Sequence, residues 1–139
     1  MDVSWFSGRD GVRLAYRDTG AGRPLILLHG IMGTGEHWLD GGPGGTLADQ
    51  GFRVILPDFR AHGQSAAPTD PSAYPPDVLA DDGLALIEHL GLRTGEYDLG
   101  GYSLGGRIAV RLRARGAEPG RAVVAAQGLE KVSARRAAA

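Results

Sequence analysis

Apolar residues in this chain fall into short runs separated by turn-rich stretches. Leu25-Ile26-Leu27-Leu28 and Phe52-Arg53-Val54-Ile55-Leu56 are almost unbroken. Runs this short and continuous fit strands buried on both faces, as in a parallel sheet. Ala122-Val123-Val124-Ala125-Ala126 repeats the pattern within 121–126, and Tyr97-Asp98-Leu99-Gly100 gives a shorter version. Between these runs the spacing turns helical. Val78, Leu79, Leu84, Leu86, Ile87 and Leu90 predict the apolar face of a helix over 77–90, and Ile108, Ala109 and Leu112 that of another over 104–115. Trp38, Leu39, Leu47 and Ala48 line one side of a helical stretch over 36–50. Gly41-Gly42-Pro43-Gly44-Gly45 cuts through it and predicts a broken helix.

The N-terminal region reads differently. Trp5-Phe6, the tight-turn pair Asp10-Gly11 and the alternating Val12-Arg13-Leu14-Ala15-Tyr16 predict an antiparallel hairpin. Residues 19–24 form a break, and 57–76 a long loop rich in Pro, Asp and Ser. After the hairpin, strands and helices alternate until a last strand, the pattern of a parallel sheet with right-handed crossovers. The expected fold class is therefore α/β: a three-layer α/β sandwich with six strands, four or five of them parallel, behind an N-terminal antiparallel hairpin. Residues 1–139 read as one domain, with 129–139 a frayed tail.

Composition narrows the function. The chain is 42% hydrophobic and 22% charged, as in soluble globular proteins. A formal net charge of −1 provides no field to gather nucleic acid or an anionic membrane, so neither is expected as a partner. Arg111, Arg113 and Arg115 read as a solvated helix face. The absence of cysteine excludes disulfides, a thiolate nucleophile and cysteine metal sites. Residues 1–8 lack the pattern of a signal peptide and the apolar runs are strand-length, so a cytoplasmic location is expected. No Walker loop, dinucleotide fingerprint or zinc spacing occurs, so no metal or cofactor is expected.

The 23 glycines gather at 30–35, 41–45 and 100–106. In the last cluster, Gly101-Tyr102-Ser103-Leu104-Gly105 matches G-x-S-x-G between a predicted strand and a predicted helix, the context of a nucleophile elbow. Such a turn crowds the residues two before and two after the serine, which must therefore be very small. Gly101 and Gly105 meet that need, and Gly106 lets the helix pack close. The plainer alternative is an ordinary helix-capping serine on a glycine-rich turn.

Two further segments sit where sites form in parallel sheets. His29-Gly30-Ile31-Met32-Gly33 follows the first buried strand, and Pro57-Asp58-Phe59-Arg60-Ala61-His62-Gly63-Gln64-Ser65 follows the second. Together with the elbow, these segments resemble the α/β-hydrolase superfamily of the serine esterase type, over nearly the whole chain. The resemblance implies Ser103 as nucleophile and the backbone N–H groups of Ile31 and Leu104 as oxyanion-hole donors. It also implies that His29 and Gly30 shape the loop, and that Asp58 and Arg60 hold theirs by charge-assisted hydrogen bonds.

The family order is Ser, then Asp or Glu, then His. All four histidines here, His29, His37, His62 and His89, precede Ser103, and only Glu118 and Glu130 follow it as carboxylates. Glu130 lies where some family members place the acid, and a Ser103–His29 pair is the one improvised alternative. The chain is thus expected to be a C-terminally truncated, partial α/β-hydrolase fold. Its last strand would form an exposed edge and one sheet face would be uncovered. That patch would favour a homodimer, a complementing C-terminal half or poor solubility.

Two functional classes stay open. One is acyl transfer to water through an acyl-serine, with a small-molecule ester, thioester or lactone as substrate. The other is a catalytically inactive homologue serving as a binding or interaction module. A flavodoxin-like binding domain explains the strand–helix order but not the three motifs.

Overall fold

A computed structural model describes residues 2–30, 33–38 and 44–125. Its strands are β1 (Ser4–Ser7), β2 (Arg13–Thr19), β3 (Arg23–Leu28), β4 (Phe52–Pro57), β5 (Asp98–Tyr102) and β6 (Arg121–Ala125). Its helices are α1 (Gly44–Asp49), α2 (Val78–His89) and α3 (Leu104–Ala114). One six-stranded sheet runs in the order β1-β2-β4-β3-β5-β6. The pairs β1–β2 and β2–β4 are antiparallel, while β3–β4, β3–β5 and β5–β6 are parallel. Four strands are therefore parallel. The chain steps outward from β3 to β4, then crosses back to β5, which places a topological switch point at the C-terminal end of β3.

Helices lie on both faces, completing three layers. On one face α2 and α3 pack over Leu14, Ile26, Leu28, Ile55 and Leu99. On the other, Leu27, Val54 and Leu56 meet Trp38 and Leu47 from the connection between β3 and β4. That connection is the expected broken helix. It contains a 3₁₀ turn at Gly35–Trp38 and then α1, and residues 39–43 lie outside the described set.

One reading of the pattern needs correction. The second hairpin strand does not alternate in burial: Leu14, Ala15, Tyr16 and Arg17 are all buried. It is an interior strand, flanked by β1 and β4, with both faces covered. The apolar face read for α2 packs on the core, with Leu86 buried and Leu79, Leu84, Ile87 and Leu90 partly buried against it, and the small Ala80 and Ala85 with Asp82 are fully buried beside them. Small residues fit because α2 packs tightly on α3: a Cβ at Gly83 would come 2.9 Å from the Leu112 side chain. Asp82 is buried there because Arg60 reaches it. The predicted tail at 129–139 lies outside the described residues.

Candidate functional site

Ser103 stands between β5 and α3 with φ 55° and ψ −115°, a backbone conformation costly for any residue but glycine. Its N–H donates to the Ala125 carbonyl of β6 at 2.9 Å, and its carbonyl accepts from Arg107 N–H at 3.1 Å. Its side chain makes no capping hydrogen bond to α3, which removes the reason for an ordinary capping serine. The strain is held by backbone contact on both sides. A Cβ at Gly101 would lie 2.3 Å from the Gly105 carbonyl oxygen, and a Cβ at Gly105 would lie 2.1 Å from the Leu28 oxygen. A Cβ at Gly106 would come 2.8 Å from the Val124 side chain of β6. Leu104 opens α3, so its N–H is among those a helix start leaves without an intrahelical acceptor. Positive helix-dipole charge gathers there.

The loop after β3 runs beside this turn. A Cβ at Gly30 would sit 3.7 Å from Ser103 Cβ and 3.6 Å from the Tyr102 ring. Tyr102 is 44% exposed and forms an aromatic wall next to the serine. Ile31, the other expected oxyanion donor, lies outside the described residues, as does Glu130.

His29 is 2% exposed and does not act on Ser103. Its Nε2 accepts from Phe59 N–H at 2.9 Å, and its Nδ1 lies 2.6 Å from the Gly30 carbonyl oxygen. Both nitrogens are thus engaged with backbone, which rules out the improvised Ser103–His29 pair. His62 stacks on His29 at 5.2 Å, and His89 lies 3.4 Å from the Tyr16 hydroxyl.

Asp58 and Arg60 anchor the loop after β4 in different ways. The Asp58 carboxylate accepts from Gly35 N–H at 2.7 Å and Gln64 N–H at 2.9 Å, and pairs with Arg17 at 3.2 Å. It therefore joins the loops after β3 and β4. Ser65 reinforces it, donating to the Asp58 carbonyl at 2.7 Å and accepting from Ala15 N–H. Arg60 forks onto Asp82 of α2 at 2.7 and 3.0 Å and onto Asp10 of the hairpin turn at 2.6 and 2.9 Å. Its guanidinium holds the Asp10 carboxyl below its ordinary value. Burial pushes the Asp82 carboxyl up, and the Arg60 bonds oppose that. The sequence reading missed Arg17 and Tyr102. A lone arginine within an otherwise apolar strand was the available signal for the first, and nothing local marks the second.

On the α1 side, Leu25, Leu27, Trp38, Leu47, Phe52 and Val123 line an apolar trough of about 400 Å³. It ends at Asp98, which binds Arg23 and Arg121 at 2.9 Å each and whose carboxyl is thereby lowered to about 2. Among the described residues, no cluster of His, Asp or Glu could hold a metal, and no helix is long and apolar enough to cross a membrane.

A strained serine on a strand–helix turn, beside a glycine loop at the switch point of a mostly parallel sheet, defines the α/β-hydrolase architecture. The chain belongs to that family: the model of the alpha/beta hydrolase fold matches residues 23–135. Among similar proteins is a non-heme chloroperoxidase, CPO-A1, of Kitasatospora aureofaciens, 39% identical over 70% of this chain and 34% of its own length. The AB hydrolase superfamily protein YisY of Bacillus subtilis is 40% identical over 75% of this chain and 37% of its own. An esterase of Exiguobacterium antarcticum superposes with TM-score 0.79 at 28% identity, over 88% of this chain and 45% of that one. The chain thus spans about a third of the length of the curated relatives it matches.

Proposed function

We propose that this chain carries the nucleophile half of a serine hydrolase acting on a carboxylic ester, thioester or lactone. The observation that carries the reading is the strained Ser103. It makes no capping bond and is fixed by backbone contacts that only Gly101 and Gly105 permit. Evolution retains strain of this kind where a side chain must be presented for chemistry.

In the proposed reaction, Ser103 Oγ attacks the acyl carbon, a C–O bond forms and the carbonyl π pair moves onto oxygen. The Leu104 N–H and an N–H at Ile31 receive that oxyanion, each worth about 3 kcal/mol at such a site. The Oγ proton passes through a base to the leaving alcohol or thiol as its bond to the acyl carbon breaks. Water then repeats the steps and releases the acid. The base and its orienting acid come from outside the described residues. A serine at this turn argues against the epoxide chemistry of some relatives, since family members of that type use aspartate there.

The reading is tested by exposing the folded chain to p-nitrophenyl butyrate and measuring its intact mass. An acyl increment on the peptide holding Ser103, absent in Ser103→Ala, is expected. A folded chain that never acquires the increment contradicts the reading. The rival, a non-catalytic binding module, is favoured by one observation: both ring nitrogens of His29 are held by backbone groups and not by Ser103.

A further inference from the structure

Two hydrogen bonds of His29, to Gly30 and to Phe59, fix its protonation. A carbonyl oxygen only accepts, so the 2.6 Å contact with Gly30 requires a proton on Nδ1. A backbone N–H only donates, so the 2.9 Å contact with Phe59 requires a bare Nε2. The ring is therefore neutral in one tautomer. A second proton on Nε2 would point at the Phe59 N–H, two donors face to face in a site closed to water.

What the ring joins is as telling. Gly30 lies in the loop after β3, where an added Cβ would touch Ser103 Cβ and the Tyr102 ring, and Phe59 lies in the loop after β4. The Phe59 and His62 rings pack on His29 at 4.5 and 5.2 Å. From behind, α3 meets the same segment, since a Cβ at Gly105 would lie 2.8 Å from the His29 carbonyl. Among the described residues, the titratable ring packed on it is His62; Asp58, next to Phe59 in the chain, is paired with Arg17, which lies 3.5 Å from Glu36.

We propose that His29 is a positioning residue that clasps the loop after β3 to the loop after β4 only while neutral, so that protonating Nε2 breaks the bond to Phe59 and unties the loop after β4 from the Gly30 segment beside Ser103, while Nδ1–H keeps its hold on the Gly30 carbonyl. The clasp gives the nucleophile's rim an acid limit that is separate from any catalytic base. As a statement about reactivity, this rests on the serine hydrolase reading; as a statement about structure, it does not. Because an unfolded histidine charges near pH 6.5, the unfolded chain binds more protons at His29 below that pH than the clasped chain does. The clasp therefore weakens as pH falls.

The test is long-range ¹H–¹⁵N NMR of the imidazole rings in the full chain, with His29 assigned by the loss of its signals in His29→Gln. Expected at pH 7.5 is a protonated Nδ1 and a bare Nε2. On acidification, the Phe59 and Gly30 amides should shift with the same midpoint as His29 charging. In His29→Gln, whose amide oxygen accepts from Phe59 N–H but takes no proton, that coupled step should vanish. An Nε2–H tautomer at pH 7.5 overturns the proposal. So does a His29 that charges while both amides stay unmoved. Fluorophosphonate labelling of Ser103 across the same range is scored separately. A slowing of about tenfold or more through the His29 midpoint, absent in His29→Gln, is expected. Absence of an adduct at every pH counts against the hydrolase reading and leaves the NMR result to decide the clasp.

Discussion

A methyl group at residue 105 has nowhere to go: it would press on the Leu28 and His29 carbonyl oxygens at 2.1 and 2.8 Å. Backbone cannot yield as a side chain tip does, so Gly105→Ala should cost about 3 kcal/mol or more, measured by urea unfolding. Arg60 gives a second test. Its loss in Arg60→Met strands a buried Asp82, an expected penalty of about 3–5 kcal/mol. Adding Asp82→Asn should recover part of it, and strictly additive effects in the double-mutant cycle would contradict the coupling. Residues such as Gly101, Ser103 and Gly105 were legible in the sequence because the turn sets their sizes over five positions. Arg17 was not, since its partner Asp58 lies 41 positions away and only the folded sheet brings them together. The exposure of Tyr102 was equally hidden, because it depends on what does not cover β5.

Single strands and helices were read well where burial follows a simple period. The runs at 25–28 and 52–56 became β3 and β4 with only their ends adjusted. The reading failed where tertiary contacts override the period. In β2 both faces are covered, so the alternation of the sequence does not appear in its burial. Asp98 ties three strands together through Arg23 and Arg121. Its folded carboxyl, near 2, lies below the ordinary 3.8, so the folded state binds fewer protons there. Its stabilisation is complete above about pH 4 and is lost as pH falls through the folded value. Asp98→Asn should therefore cost about 1–2 kcal/mol at pH 7, allowing for the partly exposed arginines, and visibly less at pH 3. Urea midpoints at both pH values check this; an equal cost at both contradicts it. The two faces of β6 differ as well. Val123 is 68% exposed, while Val124 packs against Gly106 and the α3 side. Val123→Lys should change stability by about 0.5 kcal/mol or less, and Val124→Lys should cost about 1–3.

Taken whole, the molecule has one sheet face closed by α2 and α3 and another on which α1 leaves a trough from Leu25 to Val123. The α/β architecture and the place of the elbow were visible from the order of strands, helices and glycines. The trough's shape was not, because it depends on how far α1 and the 3₁₀ turn reach across the sheet. Within this fold, the strain at Ser103 is proposed to present the serine for chemistry and not merely to turn the chain. The most direct measurement is the intact mass of the folded chain after exposure to a fluorophosphonate, beside Ser103→Ala of equal foldedness by circular dichroism. One phosphonyl adduct per native chain is expected, located at Ser103 and absent from the variant. A folded native chain without an adduct, or an adduct that persists in Ser103→Ala, contradicts the proposal.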